Sequence, residues 1–412
     1  MSTNVYYSVS PFGTGDIKTG SPTLTISGGV STLTVAQTGN IGIGCRITYD
    51  TSSIAYISAV NSSTSFDVIT AVGGTPSDEG TPVTVNSIGH EYASLSAFEA
   101  GFTDANHINN TSLVSADVIA NACCYYDHDD QTPDTAALVF NGTTTDAERY
   151  IHAYTPIGGT ESINNQRSAT GIKDLTKYAL SCSTDYANTI YISSVQNIKL
   201  TGLQISNSAA NGNVNAISLY SLSTLDIDKC IISEASKWHG VNIGGGTCNI
   251  KNTIIYDSTL QGVNIIFQLG APTVNIYNSI ITKSGAYGVL RSSGTVVITN
   301  CAIFNNTTGD LSGTATTTYT ASDDTISGTG NIDWDAGATD WANNFTDYAN
   351  DDYSLVSGGS CIDNGTDLSA SGVTDDIIGT SRPQNSIYDI GAFEFISILS
   401  GIYYRILLQG DL

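Results

Sequence analysis

The chain has 412 residues and a formal net charge of −24, with 14 basic and 38 acidic side chains, and it is rich in Gly, Ser, Thr and Asn. So acidic a chain opposes nucleic acid and anionic membranes, and no stretch approaches the ~18 apolar residues of a membrane span. Turn-forming residues with little charge suit turn-dense all-β structure, and the length is enough for a large core.

Met1-Ser-Thr-Asn-Val5 leads straight into strand-like sequence with no basic region and no apolar run, so no secretory leader is expected. Val5 to Val9 reads as a strand and Pro11 to Gly15 as a turn; residues 1–19 form this opening unit. From Pro22 to Ile88 about six alternating runs are separated by Gly, Asn and Ser, which predicts a small antiparallel barrel or sandwich over 20–88. Gly42-Ile-Gly44 is too short and wrongly placed for a nucleotide loop. Leu95, Phe98 and Phe102 share one helical face behind a Ser94 cap, which predicts a helix near 94–101. Val114 to Cys123, Ala137 to Asn141 and Tyr150 to Pro156 read as strands of early, irregular coils. Between them, Asp127-His128-Asp129-Asp130 is the densest polar cluster. Asp127, His128 and Asp129 are the candidate metal ligands, although contiguous residues converge poorly on one ion and a solvated loop is the competing reading.

From Asn197 to Leu311 one short phrase recurs five times: apolar, any, apolar, any, Asn-like, small, any, Ile. Its anchors Leu200, Ile227, Ile250, Ile276 and Ile298 are 27, 23, 26 and 22 residues apart. A second phrase lies between them, as in Gly240-Val-Asn-Ile243 and Gly262-Val-Asn-Ile265. A period in the twenties built of strands is a solenoid signature. Without an amphipathic helix or regularly placed leucines, a parallel β-helix is predicted over 89–320, its coils stacked at about 4.8 Å. The anchors form one inward column, and Leu203, Cys230, Thr253, Ser279 and Cys301 a small-residue column. Asn252, Asn278 and Asn300 fall at the bend, where Asn tolerates left-handed backbone. The eight cysteines lack zinc-type spacing and read as buried thiols from a reducing compartment.

After Leu311 the repeats fade into a closing region, 321–395, and the apolar tail 396–412. Ile402, Tyr403, Tyr404, Ile406, Leu407 and Leu408 are too apolar to leave in water, so this tail is assigned to docking or oligomerisation.

Tyr6-Tyr-Ser-Val-Ser-Pro11 and Ser94-Leu-Ser-Ala-Phe98 resemble the two halves of a start common to right-handed parallel β-helix proteins, "YYVS-P-x-G" and "sLsaA". The segment Asp375-Asp-Ile-Ile-Gly-Thr-Ser-Arg382-Pro383, followed by Tyr388-Asp-Ile-Gly-Ala-Phe-Glu-Phe395, resembles their closing motif. With the repeats, the resemblance covers roughly residues 90–395 and extends to phage tailspike, virion-surface and secreted β-helix types. It implies an inserted barrel, a helix capping the solenoid, and a C-terminal cap in which Arg382 pairs with Asp376, Asp389 or Glu394. It implies no particular activity, since such proteins include enzymes and non-enzymes.

Carbohydrate-cleaving solenoids use paired carboxylates, or a carboxylate with Lys or Arg, on the outer face of a strand ladder. The outward positions of the Gly-Val-Asn-Ile phrase are Ser218, Asn242, Asn264 and Leu290, none of them ionisable. The best catalytic candidates are therefore Asp226, Asp228, Glu234 and His239, with Lys237 nearby, and the sugar-contacting candidates are Trp238, Asn242 and Asn264. No cofactor motif is present. The reading favoured is a non-enzymatic virion-surface component, a spike, fibre or decoration protein, assembled in the host cytoplasm with other virion proteins and involved in attachment. It is expected to be a homo-oligomer, with a trimer implied by the resemblance, and cell-surface polysaccharide is a candidate partner. A carbohydrate-active tailspike and an extracellular adhesin or fibre are the alternatives.

Overall fold

The computed structural model describes residues 2–127, 131–334 and 340–397. Among these, three parallel sheets of nine, eight and seven strands wind into a β-helix, and six antiparallel strands close into a separate barrel. One coil contributes a strand to each sheet in turn: Thr224–Asp228, Ile231–Ala235 and Val241–Ile243, then Thr247–Lys251, Ile254–Tyr256 and Val263–Ile265.

The repeat phrase sets the register. Leu200 stands beside Ile227, Ile227 beside Ile250, Ile250 beside Ile276, and Ile276 beside Ile298. Leu203, Cys230, Thr253, Ser279 and Cys301 are all fully buried at the corner between the first and second sheets. Their polar members are satisfied along the stack: the Cys230 amide donates to Thr253 Oγ1 at 3.3 Å, and the Thr253 amide to Ser279 Oγ at 3.2 Å. The corner needs a left-handed residue in every coil, supplied by Gly202, Lys229, Asn252, Asn278 and Asn300 with φ between 43° and 69°. A second left-handed series, Glu234, Asp257, Lys283 and Asn305, ends the strands of the second sheet.

The opening strand, Thr3–Val9, pairs in parallel with Val118–Cys124 and so begins the first sheet of the solenoid. The barrel, Thr23 to Gly89, is inserted between that strand and the helix Leu95–Gly101. Ser94 Oγ caps this helix by accepting from the Ala97 amide. Leu95, Phe98 and Phe102 pack with Tyr7, Leu138 and Phe140 at the start of the stack, where the first coil would otherwise expose its interior.

The closing region is positioned by the second sheet. That sheet is apolar on its outer face as well as its inner one: Ile231, Ile254, Tyr256, Ile280 and Phe304 point outward. They are covered by Trp334, Trp341, Phe345, Tyr353, Ile377, Ile390 and Phe393. The second sheet itself continues through Ala321–Ser322 and Ile332–Asp333, so the solenoid runs past residue 320. The closing segment thus lies along the flank of the stack. It is held by a buried ion pair in which Arg382 Nη1 stands 2.7 Å from Glu394 Oε2. Arg382 Nη2 donates to the Gly391 carbonyl, Glu394 accepts from the Gln384 and Asp389 amides, and Asp376 accepts from the Ile378, Thr380 and Glu394 amides. Of the three partners named for Arg382, Glu394 makes the ion pair.

Among the described residues no helix is long and apolar enough to cross a membrane. Ile402, Tyr403, Tyr404, Ile406, Leu407 and Leu408 lie outside the described residues.

Two substitutions test this packing. Ile276→Ala opens a cavity between stacked coils and is expected to cost about 2–5 kcal/mol, whereas Thr273→Ala on the outer face should stay within about 0.5 kcal/mol; equilibrium denaturation measures both. Glu394→Ala leaves Arg382 buried without its partner and is expected to cost about 3–5 kcal/mol, with earlier proteolysis of the closing segment than of the repeats.

Candidate functional site

Residues alternating outward on the first sheet align from coil to coil. One outward row runs His152, Lys199, Asp226, Asn249, Asn275 and Val297. Beside it runs Tyr154, Thr201, Asp228, Lys251, Tyr277 and Thr299, and on the other side Asn197, Thr224, Thr247, Thr273 and Thr295. The central row is knit by its own side chains: Asn249 Nδ2 donates to Asp226 Oδ1 at 2.7 Å, and Asn275 Nδ2 to Asn249 Oδ1 at 2.8 Å. Lys199 Nζ sits 3.9 Å from the centroid of the Tyr150 ring. The His152 ring stacks on Tyr154 at 4.5 Å, and its Nε2 lies 3.0 Å from Thr201 Oγ1.

Asp226 and Asp228 face the same way, about 6.5–7 Å apart along the strand. They differ in their partners. Asp228 accepts from Asn252 Nδ2 at 3.0 Å. The lysines flanking it are tied to the closing segment, Lys229 to Asp375 at 2.6 Å and Lys251 Nζ to the Ser371 carbonyl at 2.5 Å. Burial raises the Asp228 carboxyl, while Asn252 and Lys229 work in the opposite direction.

A family model described as a right handed beta helix region matches residues 188–365. The chain is a right-handed parallel β-helix protein. No curated protein matches its sequence. Among solved structures it is similar to the crystal structure of pectate lyase Pel9A, at 14% identity and a TM-score of 0.39, over 68% of this chain and 80% of that one.

In this β-helix protein the other site candidates fall apart in space. Between Asp228 and His239 the chain turns two corners, so neighbours in sequence reach different faces. Glu234 stands at the left-handed end of a second-sheet strand, where Lys173 Nζ meets its Oε2 at 2.8 Å. Trp238 and His239 lie at the next corner, their rings stacked at 5.0 Å. His239 is buried, its Nδ1 accepts from the Gln261 amide at 3.3 Å, and burial lowers its pKa to about 4. The proposed grouping of Asp226, Asp228, Glu234, Trp238 and His239 is therefore corrected: only the two aspartates share a face. Asn242 and Asn264 do stand in one outward row of the third sheet, but Asn264 Nδ2 donates to Asn242 Oδ1 at 2.7 Å and each is only 6% exposed. They have little surface left for a sugar.

Asp127 is not a loop residue in open water. Its Oδ2 pairs with Nε2 of the fully buried His90 at 2.6 Å, and His90 Nδ1 faces Cys45 Sγ at 3.7 Å. Burial opposes the imidazolium, but Cys45 and Asp127 outweigh it and push His90 up to about 10. Asp127 is thereby an ion-pair partner at the junction of barrel and solenoid. His128 and Asp129 lie outside the described residues, and among the described ones no three His, Cys, Asp or Glu side chains gather around a point.

The central row of the first sheet escaped sequence reasoning, although its signal was present. Lys199, Asp226, Asn249 and Asn275 each occupy the position between the two apolar anchors of the phrase. His152 precedes the regular repeats and had no such marker.

His152 and His239 yield a pH test. Burial is the main cause of lowering for both, to about 3 for His152, where Lys199 and Arg167 add to it, and to about 4 for His239. Both folded values lie below the ordinary ~6.5 of an unfolded chain. Their contribution to stability is therefore full above about pH 6.5 and is lost as pH falls toward 3–4. Ring NMR titration should find both neutral at pH 5, and His239→Gln should flatten the acid limb of the stability profile.

Proposed function

We propose that this β-helix protein is a non-enzymatic surface component of a phage-like particle that attaches by gripping an extended glycan along its first sheet. The observation that carries the reading is the central row of that sheet. It offers cation, carboxylate, amide and amide in successive coils at a repeat of about 4.8 Å, which suits an extended chain of hydroxyls with alternating donors and acceptors. Against cleavage stands the separation of the acids: Asp226 is on this row, while Asp228 is flanked by lysines bound to the closing segment, and Glu234 and His239 are around the corners.

All eight cysteines are buried free thiols. That supports folding in a reducing compartment, as for a virion protein assembled in a host cytoplasm, over an extracellular adhesin. Other virion proteins and further copies of the chain are its proposed neighbours. The carbohydrate-active alternative is favoured by one feature, Lys199 standing next to Asp226 in the same row, since a cation beside a carboxylate is a usable acid–base arrangement.

Host-cell polysaccharides, retained on immobilised protein and then analysed for products, separate these readings. Retention without new reducing ends or unsaturated sugars is expected, and Lys199→Ala with Asn249→Ala should weaken it by about tenfold or more. Products that vanish in Asp226→Asn would replace the attachment reading with an enzymatic one. Absence of the chain from purified particles, by mass spectrometry, would remove the virion assignment.

A further inference from the structure

A cavity lies away from the first-sheet row, where the closing segment meets the end of the stack. Its volume is about 590 Å³, within the range of small-molecule sites. Three stretches of chain converge on it: Tyr319 from the last corner of the solenoid, the loop Asp363 to Ser369, and the loop Arg382 to Tyr388. Both its backbone frame and its chemistry are built. Tyr319 is held left-handed at φ 49°, its ring against Gly330, where a Cβ would come within 2.5 Å of the ring. A Cβ at Gly365 would approach the Tyr388 carbonyl at 2.7 Å and Asn300 Oδ1 at 3.0 Å, so the first loop can lie this close only with glycine there.

The lining divides into two kinds. Tyr319, Pro383 and the 45% exposed Ile387 give apolar surface. Asp363 and Asp367 give carboxylates, each partly engaged: Asp363 accepts from Asn385 Nδ2 at 3.2 Å, and Asp367 Oδ1 accepts from the Ser369 amide at 2.8 Å. The remaining group is Arg382. Its terminal nitrogens are committed to Glu394, Asp389 and Gly391, but its Nε–H is buried without any partner in the protein. Arg382 thus lies beneath the cavity as part of its frame, its side chain fully buried, and the polar groups open to a ligand are those of the two loops.

We infer that this cavity is a binding site for a short neutral saccharide. A pyranose has an apolar face of C–H groups that fits an aromatic and aliphatic wall, and hydroxyls that donate to carboxylates. An anionic sugar fits poorly. Asp363 and Asp367 repel it, and the one cation of the frame, Arg382, is already neutralised by Glu394. The site is independent of the first-sheet row and stands whether or not that row holds a polymer.

The test is titration of the full chain with methyl glycosides of glucose, galactose, mannose and rhamnose, and with galacturonate, by saturation-transfer NMR and calorimetry. Binding of at least one neutral glycoside is expected, weakened about tenfold or more by Tyr319→Ala and by Asp367→Asn. Galacturonate should bind more weakly than galactose, and Asp367→Asn should narrow that difference. Should Tyr319→Ala fail to fold, Ser386→Trp, which fills the cavity from one of its own loops, must abolish binding instead. The inference is overturned if none of the four neutral glycosides binds, or if binding is unchanged in Asp367→Asn and Ser386→Trp. Binding lost only in Lys199→Ala overturns it as well, because it locates the sugar on the first sheet, whereas loss of polymer retention with intact glycoside binding counts against the first-sheet reading alone.

Discussion

In-register stacking of isoleucine on isoleucine is the interaction on which everything else depends. Leu200, Ile227, Ile250, Ile276 and Ile298 each lie directly over the next, and each contributes about 1.5–3 kcal/mol by leaving water. A slip of one residue in any coil would turn its inward set outward. The corner residues guard against that slip. A left-handed bend at Gly202, Lys229, Asn252, Asn278 and Asn300 places every strand of the second sheet at the same phase. Because the register is fixed in this way, outward residues align as strictly as inward ones. A surface row is a by-product of the core.

The second sheet turns this constraint into an arrangement of sites. Its strands bury both faces, so its outer isoleucines and Phe304 require a cover, and the closing segment supplies one. Docking there brings carboxylates and an arginine into an apolar setting, where a lone charge would be expensive. The segment answers with a buried network: Arg382 against Glu394, with backbone amides on Asp376, Asp389 and Glu394. The cover then reaches the neighbouring corner through Lys229 and Lys251, on the side of the first sheet that carries Asp228. The same loops, folding back toward Tyr319, enclose the cavity. One burial requirement thus sets the surroundings of Asp228 and the place where a pocket can form.

Much of this was legible in the sequence. The inward columns and the left-handed asparagines follow from the period alone, and the barrel from alternating runs broken by turns. The doublets Ile231-Ile232, Ile254-Ile255 and Ile280-Ile281 also held a message, since adjacent residues of a strand point to opposite faces. Two isoleucines in succession mean that both faces are buried, and hence that something covers this sheet. The grouping of Glu234, Trp238 and His239 with Asp226 failed for a geometric reason: sequence proximity within a coil is separated by corners, while residues some 23–27 positions apart, such as Lys199, Asp226 and Asn249, are neighbours. The role of Asp127 was hidden because its partner, His90, stands at the end of the barrel's last strand, before the capping helix, and no local pattern links the two.

Charge narrows the choice of polymer. With 38 acidic against 14 basic residues, the surface as a whole repels polyanions, and the cations are largely spent: Lys173, Lys229, Lys283, Arg149 and Arg382 all sit against carboxylates. On the central row Lys199 lies over a tyrosine ring next to Asp226, so even there the local field is close to balanced. Screening in physiological salt acts over about 8 Å, which quiets distant repulsion but not the carboxylates on the row and in the cavity. A polyuronate would meet Asp226 on the sheet and Asp363 and Asp367 in the pocket, with Lys199 as its main compensation. A neutral glycan meets the same groups as hydrogen-bond acceptors and gains from each. On the proposed readings, the acidity of the chain therefore favours uncharged sugars over uronates both on the first-sheet row and in the cavity.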